Sequence, residues 1–211
     1  MSLLSKVGII ARSNETADIF ERLFPNFFAI SYSTPADYVQ HNWDKYLGSG
    51  YTSNARNGRI FEYLLATLFI REELYPLYLS AKVAFVPNVV YDMLFYSTRR
   101  GPICVSAKTS LRERYKQADL EAIALKYVHR RALCFLVTLN EAEAASVQEK
   151  IRRSEVIGID EVVVATMPQI NEFIVRLRQE EFIEAPSVQV IESGLKVTAS
   201  KVIAAQKGSQ V

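Results

Sequence analysis

The stretch VVYDMLFYSTRRGPICVSAK, residues 89–108, is the part of the sequence that decides the fold. Two runs rich in Val, Phe, Tyr and Ile, at 89–97 and 102–108, flank the turn sequence TRRG, which is typical of a β-hairpin. Asp92 interrupts the first strand and Lys108 ends the second. Burying a charge in such a strand costs several kcal/mol unless it is paired or binds a ligand. The two residues therefore indicate either an ordinary ion pair or a shared site at the edge of a sheet.

The segments on either side of the hairpin predict an α/β fold. Upstream, NGRIFEYLLATLFIREEL (57–74) predicts a helix that is apolar nearly all round and therefore buried, and KVAFV (82–86) predicts a first strand. Downstream, the segment 110–131 predicts a helix capped by Ser110, and ALCFLVTL (132–139) is typical of a central strand covered on both faces. The order helix, three strands, helix, strand predicts a mixed central sheet flanked by helices.

The length of 211 residues suits one domain, which we divide into three parts. Residues 1–56 predict a helical segment that packs on the core, and residues 57–181 predict the core itself. Residues 182–211 predict a short hairpin, formed by VQVIES and LKVTAS, and a frayed tail, QKGSQV.

The composition indicates the cellular compartment and the kinds of side chain that could act in a functional site. Apolar residues make up 49% of the chain, but no apolar run approaches the roughly 18 residues that a membrane span needs, and the first residues turn polar too early for a signal peptide. The cytoplasm is therefore the expected compartment. Cys104 and Cys134 lie in apolar strand-like runs, which is typical of free buried thiols, and His41 and His129 are isolated, so no zinc spacing exists. Any catalytic chemistry is therefore expected to use carboxylates, lysine and a hard cation.

Charge is concentrated in one window of the chain. Residues 99–131 hold nine basic and three acidic side chains, a net charge of +6, which leaves −4 for the rest of a chain whose total is +2. A basic segment of this kind is typical of a surface that binds phosphate groups. A solvent-exposed helix with incidental arginines would have the same composition.

Residues 57–139 resemble the PD-(D/E)XK nuclease superfamily and, within it, the type II restriction endonucleases. The resemblance rests on the helix that carries Glu62, the strand with Asp92, the tripeptide SAK at 106–108, the following TSLRERYKQADLE and the central strand. The motif is short and degenerate, so the order of the elements matters more than any single match.

One position departs from the common motif. The superfamily usually has an acid two residues before the lysine, where this chain has Ser106. The sequence is similar in this respect to a subgroup of restriction enzymes that has Ser or Thr there and takes the missing carboxylate from the following helix, after twelve intervening residues. In this chain that position is Glu121, and Arg114 and Gln117 also match the segment of that subgroup.

The resemblance implies a restriction-endonuclease-like core that hydrolyses double-stranded DNA with Mg²⁺. It implies that Asp92 and Glu121 bind the metal, that Lys108 acts on the attacking water and the phosphate, and that Ser106 contributes through its hydroxyl. Glu62 is the auxiliary acid, which either binds a second metal or positions Lys108. The expected DNA contacts come from the basic window and one amide, namely Arg99, Arg100, Arg112, Arg114, Lys116 and Gln117.

Symmetrical cutting of two antiparallel strands suits a two-fold homodimer. Two alternatives stay open at this point. One is a repair, recombination or mobile-element nuclease on the same core. The other is a non-catalytic DNA-binding protein, for which Ser106 at the usual acid position is the main support.

Overall fold

The computed structural model describes residues 2–186, 191–193 and 195–208. The helices found in this part of the chain are α1 (Leu3–Lys6), α2 (Glu15–Leu23), α3 (Pro35–Leu47), α4 (Asn54–Arg71), α5 (Arg114–Val128), α6 (Glu141–Arg152), α7 (Pro168–Leu177) and α8 (Ala199–Lys207). The strands are β1 (Leu77–Val83), β2 (Tyr91–Ser97), β3 (Gly101–Lys108), β4 (Leu133–Thr138), β5 (Glu161–Val164), β6 (Ile191–Glu192) and β7 (Leu195–Val197).

These strands form one mixed sheet in the order β5-β4-β3-β2-β1, and both β6 and β7 lie on the outer edge of β1. Strands β1, β2 and β3 are antiparallel neighbours, whereas β3, β4 and β5 run parallel. The parallel neighbours are joined through α5 and α6, as parallel pairing requires a crossover connection. The predicted α/β class, with a mixed sheet flanked by helices, is confirmed.

Two hydrophobic clusters cover the two faces of the sheet. The first contains the buried side of α4, the N-terminal helices, α7 and α8, and the second contains α5 and α6. Helix α4 is buried from Ile60 to Ile70 apart from Glu62, which fits the sequence pattern of a helix that is apolar nearly all round. Its Phe69 contacts the ring of Phe95 on β2 with centroids 5.4 Å apart. Glu62 is therefore a carboxylate held against the sheet by an otherwise apolar helix.

The boundary expected at residue 56 falls inside α4. Ser53 caps this helix by accepting a hydrogen bond from the backbone N–H of Arg56, so the segment that links it to α3 ends three residues earlier than predicted. The first cluster runs from Leu4 through α4 to Ala205. The N-terminal segment and the core thus share one hydrophobic interior.

The first strand was predicted at 82–86 and this position is wrong, because β1 spans Leu77–Val83. The chain turns directly after Val83, because the backbone N–H of Val86 donates to the Val83 carbonyl at 3.1 Å and Phe85 has a φ of 65°. Of the predicted segment, Lys82 and Val83 end β1, and residues 84–86 belong to the connection between β1 and β2.

The prediction that Ser110 caps the helix after β3 is also wrong. The Ser110 hydroxyl donates to the Glu143 carboxylate, which also accepts the backbone N–H of Leu111 at 2.5 Å. Residues 110–113 are therefore held as a loop, and α5 begins at Arg114.

The expected C-terminal hairpin is wrong in the part that the structure describes, while residues 188–190 and 194 lie outside it. Strands β6 and β7 pair with β1 in one unbroken register, from Val83 with Ile191 to Leu77 with Val197. Together they form one interrupted edge strand. The edge of β1 offers unpaired backbone N–H and C=O groups to both segments, whereas an isolated two-stranded hairpin is only marginally stable. Helix α8 follows β7 and includes Gln206 and Lys207, the first two residues of the expected frayed tail, whereas residues 209–211 of that tail are not described.

Candidate active site

Asp92 lies on β2 directly opposite Ser106 on β3, one residue beyond the Met93–Val105 pair of the antiparallel ladder. One carboxylate oxygen, Oδ2, accepts hydrogen bonds from the Ser106 hydroxyl at 3.1 Å and from the backbone N–H of Ala107 at 2.9 Å. The hairpin therefore fixes the direction of the Asp92 side chain by contacts between adjacent strands.

Lys108 completes the arrangement from the last position of β3. Its Nζ donates to the same Asp92 Oδ2 at 2.6 Å, and the side chains of the two residues are only 18% and 19% exposed. Oδ2 thus accepts three hydrogen bonds, while within the described residues Oδ1 accepts none. The free oxygen is available to a ligand.

Glu62 brings a second carboxylate to this region from α4. Burial raises the pKa of Glu62 to about 7, and the charge of Asp92 adds to the increase, whereas Arg59 and Lys108 oppose it. Arg59, one turn earlier, holds Glu62 Oε2 through its Nη1 at 2.6 Å. Glu62 is therefore close enough to both Asp92 and Lys108 to respond to their charges.

Glu121 approaches from α5, on the other side of the sheet edge. Burial raises the pKa of the Glu121 carboxyl, the hydrogen bond from Gln117 (2.8 Å) and the charge of Lys108 lower it, and the charge of Asp92 raises it. The helix is fixed at this level because the Tyr91 hydroxyl donates to the backbone carbonyl of Glu121 at 3.0 Å. Glu121 and Glu62 thus respond to the same Asp92–Lys108 pair.

The donor set suits a hard divalent cation. Carboxylate oxygens are the ligands that Mg²⁺ prefers, and one or two of them usually suffice, with water and substrate phosphate completing the coordination shell. In the described part of the chain no three acidic, histidine or cysteine side chains are close enough to hold one ion between them. A cation here would be held by Asp92 with Glu62 or Glu121. It would favour the charged form of either glutamate, whose pKa is raised chiefly by burial and further by the charge of Asp92.

The side chains expected to contact DNA fall into two groups. Those on the loop after β3 and on the first turns of α5 are exposed beside the site, namely Arg112, Arg114, Lys116 and Gln117. Of these, Lys116 pairs with Glu113. Arg99 and Arg100 lie instead at the tip of the β2–β3 hairpin, about 23 Å along β3 from Lys108 at roughly 3.3 Å per residue. Both pair there with Glu180, whose side chain is 7% exposed. The structure therefore places these two arginines away from the carboxylates of the candidate site.

A cleft of about 280 Å³ opens beside Asp92 and Glu62, and the sequence interpretation missed the residues on its other walls. These include Arg12 and Asn14 from the segment before α2, Arg59 from α4 and Ser80 from β1. Only Arg59 carried a sequence signal, since it lies three residues before Glu62 and so on the same helix flank. The other three are brought to the cleft by tertiary packing.

The expectations for the cysteines and for membrane helices can also be compared with the structure. Cys104 and Cys134 are buried free thiols, as predicted, and they face each other across β3 and β4. No helix among residues 2–186, 191–193 and 195–208 is long and apolar enough to cross a membrane.

With this geometry in hand, comparison with known proteins defines the class of fold, which is that of the restriction endonucleases. The chain is similar in structure to the restriction endonuclease PspGI in its complex with substrate DNA, with a TM-score of 0.56 and 16% sequence identity. The similarity covers 90% of this chain and 87% of PspGI. No protein-family model and no curated protein sequence matches the chain. The similarity therefore shows the fold, and the function has to be argued from the site.

Proposed function

We propose that this protein is a Mg²⁺-dependent endodeoxyribonuclease that hydrolyses phosphodiester bonds in double-stranded DNA, and specifically a type II restriction endonuclease. The observation that carries the proposal is the Asp92–Ser106–Lys108 cluster at the sheet edge, with carboxylates converging on it from two helices. Of these groups Asp92 and Glu62 line the cleft, and a carboxyl with a raised pKa in a cleft beside a carboxylate–lysine pair is typical of a catalytic site.

In this proposal Asp92 and Glu121 hold Mg²⁺, with Glu62 as the auxiliary acid. A bound Mg²⁺ lowers the pKa of a water molecule and neutralises charge on the phosphate oxygens. Lys108 Nζ orients the attacking water and stabilises the negative charge that develops on the phosphoryl group. Ser106 and the Ala107 N–H keep the Asp92 carboxylate in its orientation, which leaves Oδ1 directed to the ligand.

The exposed basic residues beside the site complete the DNA interaction. Arg112, Arg114 and Lys116 would contact phosphates and so position the duplex without reading its sequence. Gln117, which is bonded to Glu121, has the chemistry to reach a phosphate or a base edge. We propose a homodimer, because two copies related by a two-fold axis can cut both strands symmetrically, and the cytoplasm as the compartment.

Incubation of the purified protein with a sequenced supercoiled plasmid and Mg²⁺ tests the proposal. We expect linear products in discrete bands with 5′-phosphate ends, and complete loss of cleavage in EDTA. Cleavage without banding would indicate a repair, recombination or mobile-element nuclease on the same fold. No cleavage with Mg²⁺ or Mn²⁺, together with DNA binding that EDTA does not weaken, would contradict the proposal.

That last outcome is the one expected of a non-catalytic DNA-binding protein. The observation that favours this second candidate is Ser106, which contributes a hydroxyl where an acid is usual, and Lys108, whose amine already has a carboxylate partner. The two candidates also differ in cation binding. The nuclease requires that Asp92→Asn weakens Ca²⁺ binding, whereas a degenerate site gives calorimetric titrations that the substitution does not change.

Glu121 and Glu62 have different expected roles, and matched substitutions separate them. Glu121→Gln and Glu62→Gln each remove one charge while keeping the shape of the side chain. If Glu121 is the main metal ligand, its substitution weakens Ca²⁺ binding and cleavage more than the substitution of Glu62. The reverse order would assign the site to the acid on α4.

A further inference from the structure

Arg59 occupies an unusual position in the cleft, because it is a cation that contacts one of the acids proposed to hold the metal. Its Nη1 reaches Glu62 Oε2 at 2.6 Å, and both residues line the cleft together with Asp92. The Arg59 side chain is 48% exposed, whereas that of Glu62 is 21% exposed. The glutamate thus lies against the core, and the arginine is the more solvent-exposed member of the pair.

The contact between them is small. One guanidinium nitrogen bonds one carboxylate oxygen, and the other donors of Arg59 have no partner within the described residues. Because the guanidinium is half-exposed and makes one contact, water screens the attraction, which contributes on the order of 1 kcal/mol. Arg59 can therefore leave Glu62 at little cost when a stronger partner enters the cleft.

Two groups that could enter the cleft, a divalent cation and a DNA phosphate, would favour the departure of Arg59 from Glu62. A divalent cation and the Arg59 guanidinium are alternative partners of Glu62 Oε2, so binding of one disfavours the other. A DNA phosphate in the same cleft offers Arg59 two oxygens in a geometry that suits a guanidinium, so it would accept two charge-assisted hydrogen bonds where Glu62 accepts one. Arg12 lines the cleft as well and forms no ion pair in the described chain, so the cleft holds two arginines beside Asp92 and Glu62.

We propose that Arg59 exchanges partners during the reaction cycle: it neutralises Glu62 in the free protein and binds a DNA phosphate once a cation has taken its place. The inference rests on the proposed nuclease function and adds a DNA-contacting residue on the cleft wall that α4 forms. Without a bound cation, Arg59 partly neutralises the negative charge of Glu62. With a cation and DNA bound, it contacts a phosphate.

Arg56 provides a matched control on the same helix. It lies one turn before Arg59 and also forms an ion pair, with Glu15 at 2.8 Å, but it does not line the cleft. Substitution of either arginine removes one positive charge and one ion pair from α4, and Arg56→Ala also removes a hydrogen bond that Arg56 donates to the Tyr51 carbonyl. Any difference between Arg56→Ala and Arg59→Ala therefore reports the position of Arg59 and not the loss of charge in general.

The test measures two affinities for each variant: Ca²⁺ binding by calorimetry without DNA, and binding of a short cognate duplex in Ca²⁺ by fluorescence anisotropy. In Arg59→Ala we expect Ca²⁺ to bind about three-fold more tightly, because a competitor is lost. We expect the duplex to bind about ten-fold more weakly, with the slope of log affinity against log salt reduced by about 1. Arg59→Lys keeps the charge and should restore most of the salt slope, and Arg56→Ala should match the wild type in both assays.

The opposite directions of the two shifts identify the exchange. A purely structural role would weaken both affinities, and an incidental surface pair would change neither; both results overturn the inference. If Arg59→Ala loses its fold, as seen by circular dichroism, Arg59→Gln replaces it in the same assays. Wild-type protein that cuts DNA while the Arg59 variants keep wild-type Ca²⁺ affinity refutes the exchange alone, whereas wild-type protein that binds no Ca²⁺ and cuts no DNA refutes the nuclease proposal itself.

Discussion

Glu62→Gln should make the protein more stable at pH 8 and leave its stability at pH 4.5 almost unchanged. The substitution removes a carboxylate that the fold keeps largely buried on α4, near the charge of Asp92. Gln has nearly the same shape, so the packing of the neighbouring apolar residues is preserved. Any change in the free energy of unfolding then comes from the charge.

The magnitude follows from the pKa of Glu62, which rises from 4.5 to about 7 in the folded protein. The folded state holds this proton more tightly than the unfolded chain does, so raising the pH from about 4.5 to about 7 destabilises the wild type. At about 1.36 kcal/mol for each pKa unit the loss is about 3 kcal/mol, and it is complete above pH 7. The attraction of Arg59 and Lys108 is already contained in this figure, because both act on the same pKa.

Urea denaturation at pH 4.5, 6 and 8, without divalent metal, measures the effect. The difference between Glu62→Gln and wild type should grow with pH and reach a few kcal/mol, in favour of the variant. Glu15→Gln is the control, because Glu15 also pairs with an arginine of α4 but its side chain is 79% exposed. Exposed pairs contribute little, so this control should stay within about 0.5 kcal/mol of wild type. A difference that stays flat from pH 4.5 to 8 would refute the reasoning.

Two further predictions concern the hairpin and the core. Ser106→Ala removes one of three hydrogen bonds to Asp92 Oδ2 and should lower single-turnover cleavage by about five-fold, the equivalent of about 1 kcal/mol; a loss beyond about 100-fold would mean that the hydroxyl has a larger role than orienting Asp92. Phe69→Ala empties the fully buried position between Phe95 and Phe173 and should reduce the free energy of unfolding by about 3–5 kcal/mol in urea titrations, whereas a loss under 1 kcal/mol would contradict the packing described for α4.

The sequence was most informative where the relevant contacts are local. Asp92, Ser106 and Lys108 lie on two strands joined by a short turn, so their proximity follows from the pairing of that hairpin. The apolar character of α4 and of the central strand likewise predicted a buried helix and a strand covered on both faces. These patterns were sufficient to predict the order of the elements and the α/β class.

What the sequence did not supply depends on contacts between distant segments. Serine is a common helix cap, yet the Ser110 hydroxyl donates its hydrogen bond to Glu143, 33 positions away. The run KVAFV has the composition of a strand, but the left-handed conformation of Phe85 turns it into a loop. The pairing of residues 191–197 with β1 and the placement of Arg12 in the cleft have no local signal either, since only the assembled sheet provides the edge and the wall.

The decisive measurement for the proposed active site is single-turnover cleavage by Lys108→Ala and by wild type, with Mg²⁺, of a duplex that carries the cleavage site mapped on the plasmid. Lys108 Nζ lies 2.6 Å from Asp92 Oδ2, and in the proposed mechanism it orients the attacking water and stabilises the developing phosphoryl charge. We predict that the variant loses cleavage by at least about 100-fold, a typical cost of removing an acid–base or electrostatic group, while it still binds the duplex in Ca²⁺. A Lys108→Ala protein that cuts at the wild-type rate would contradict the site proposed here.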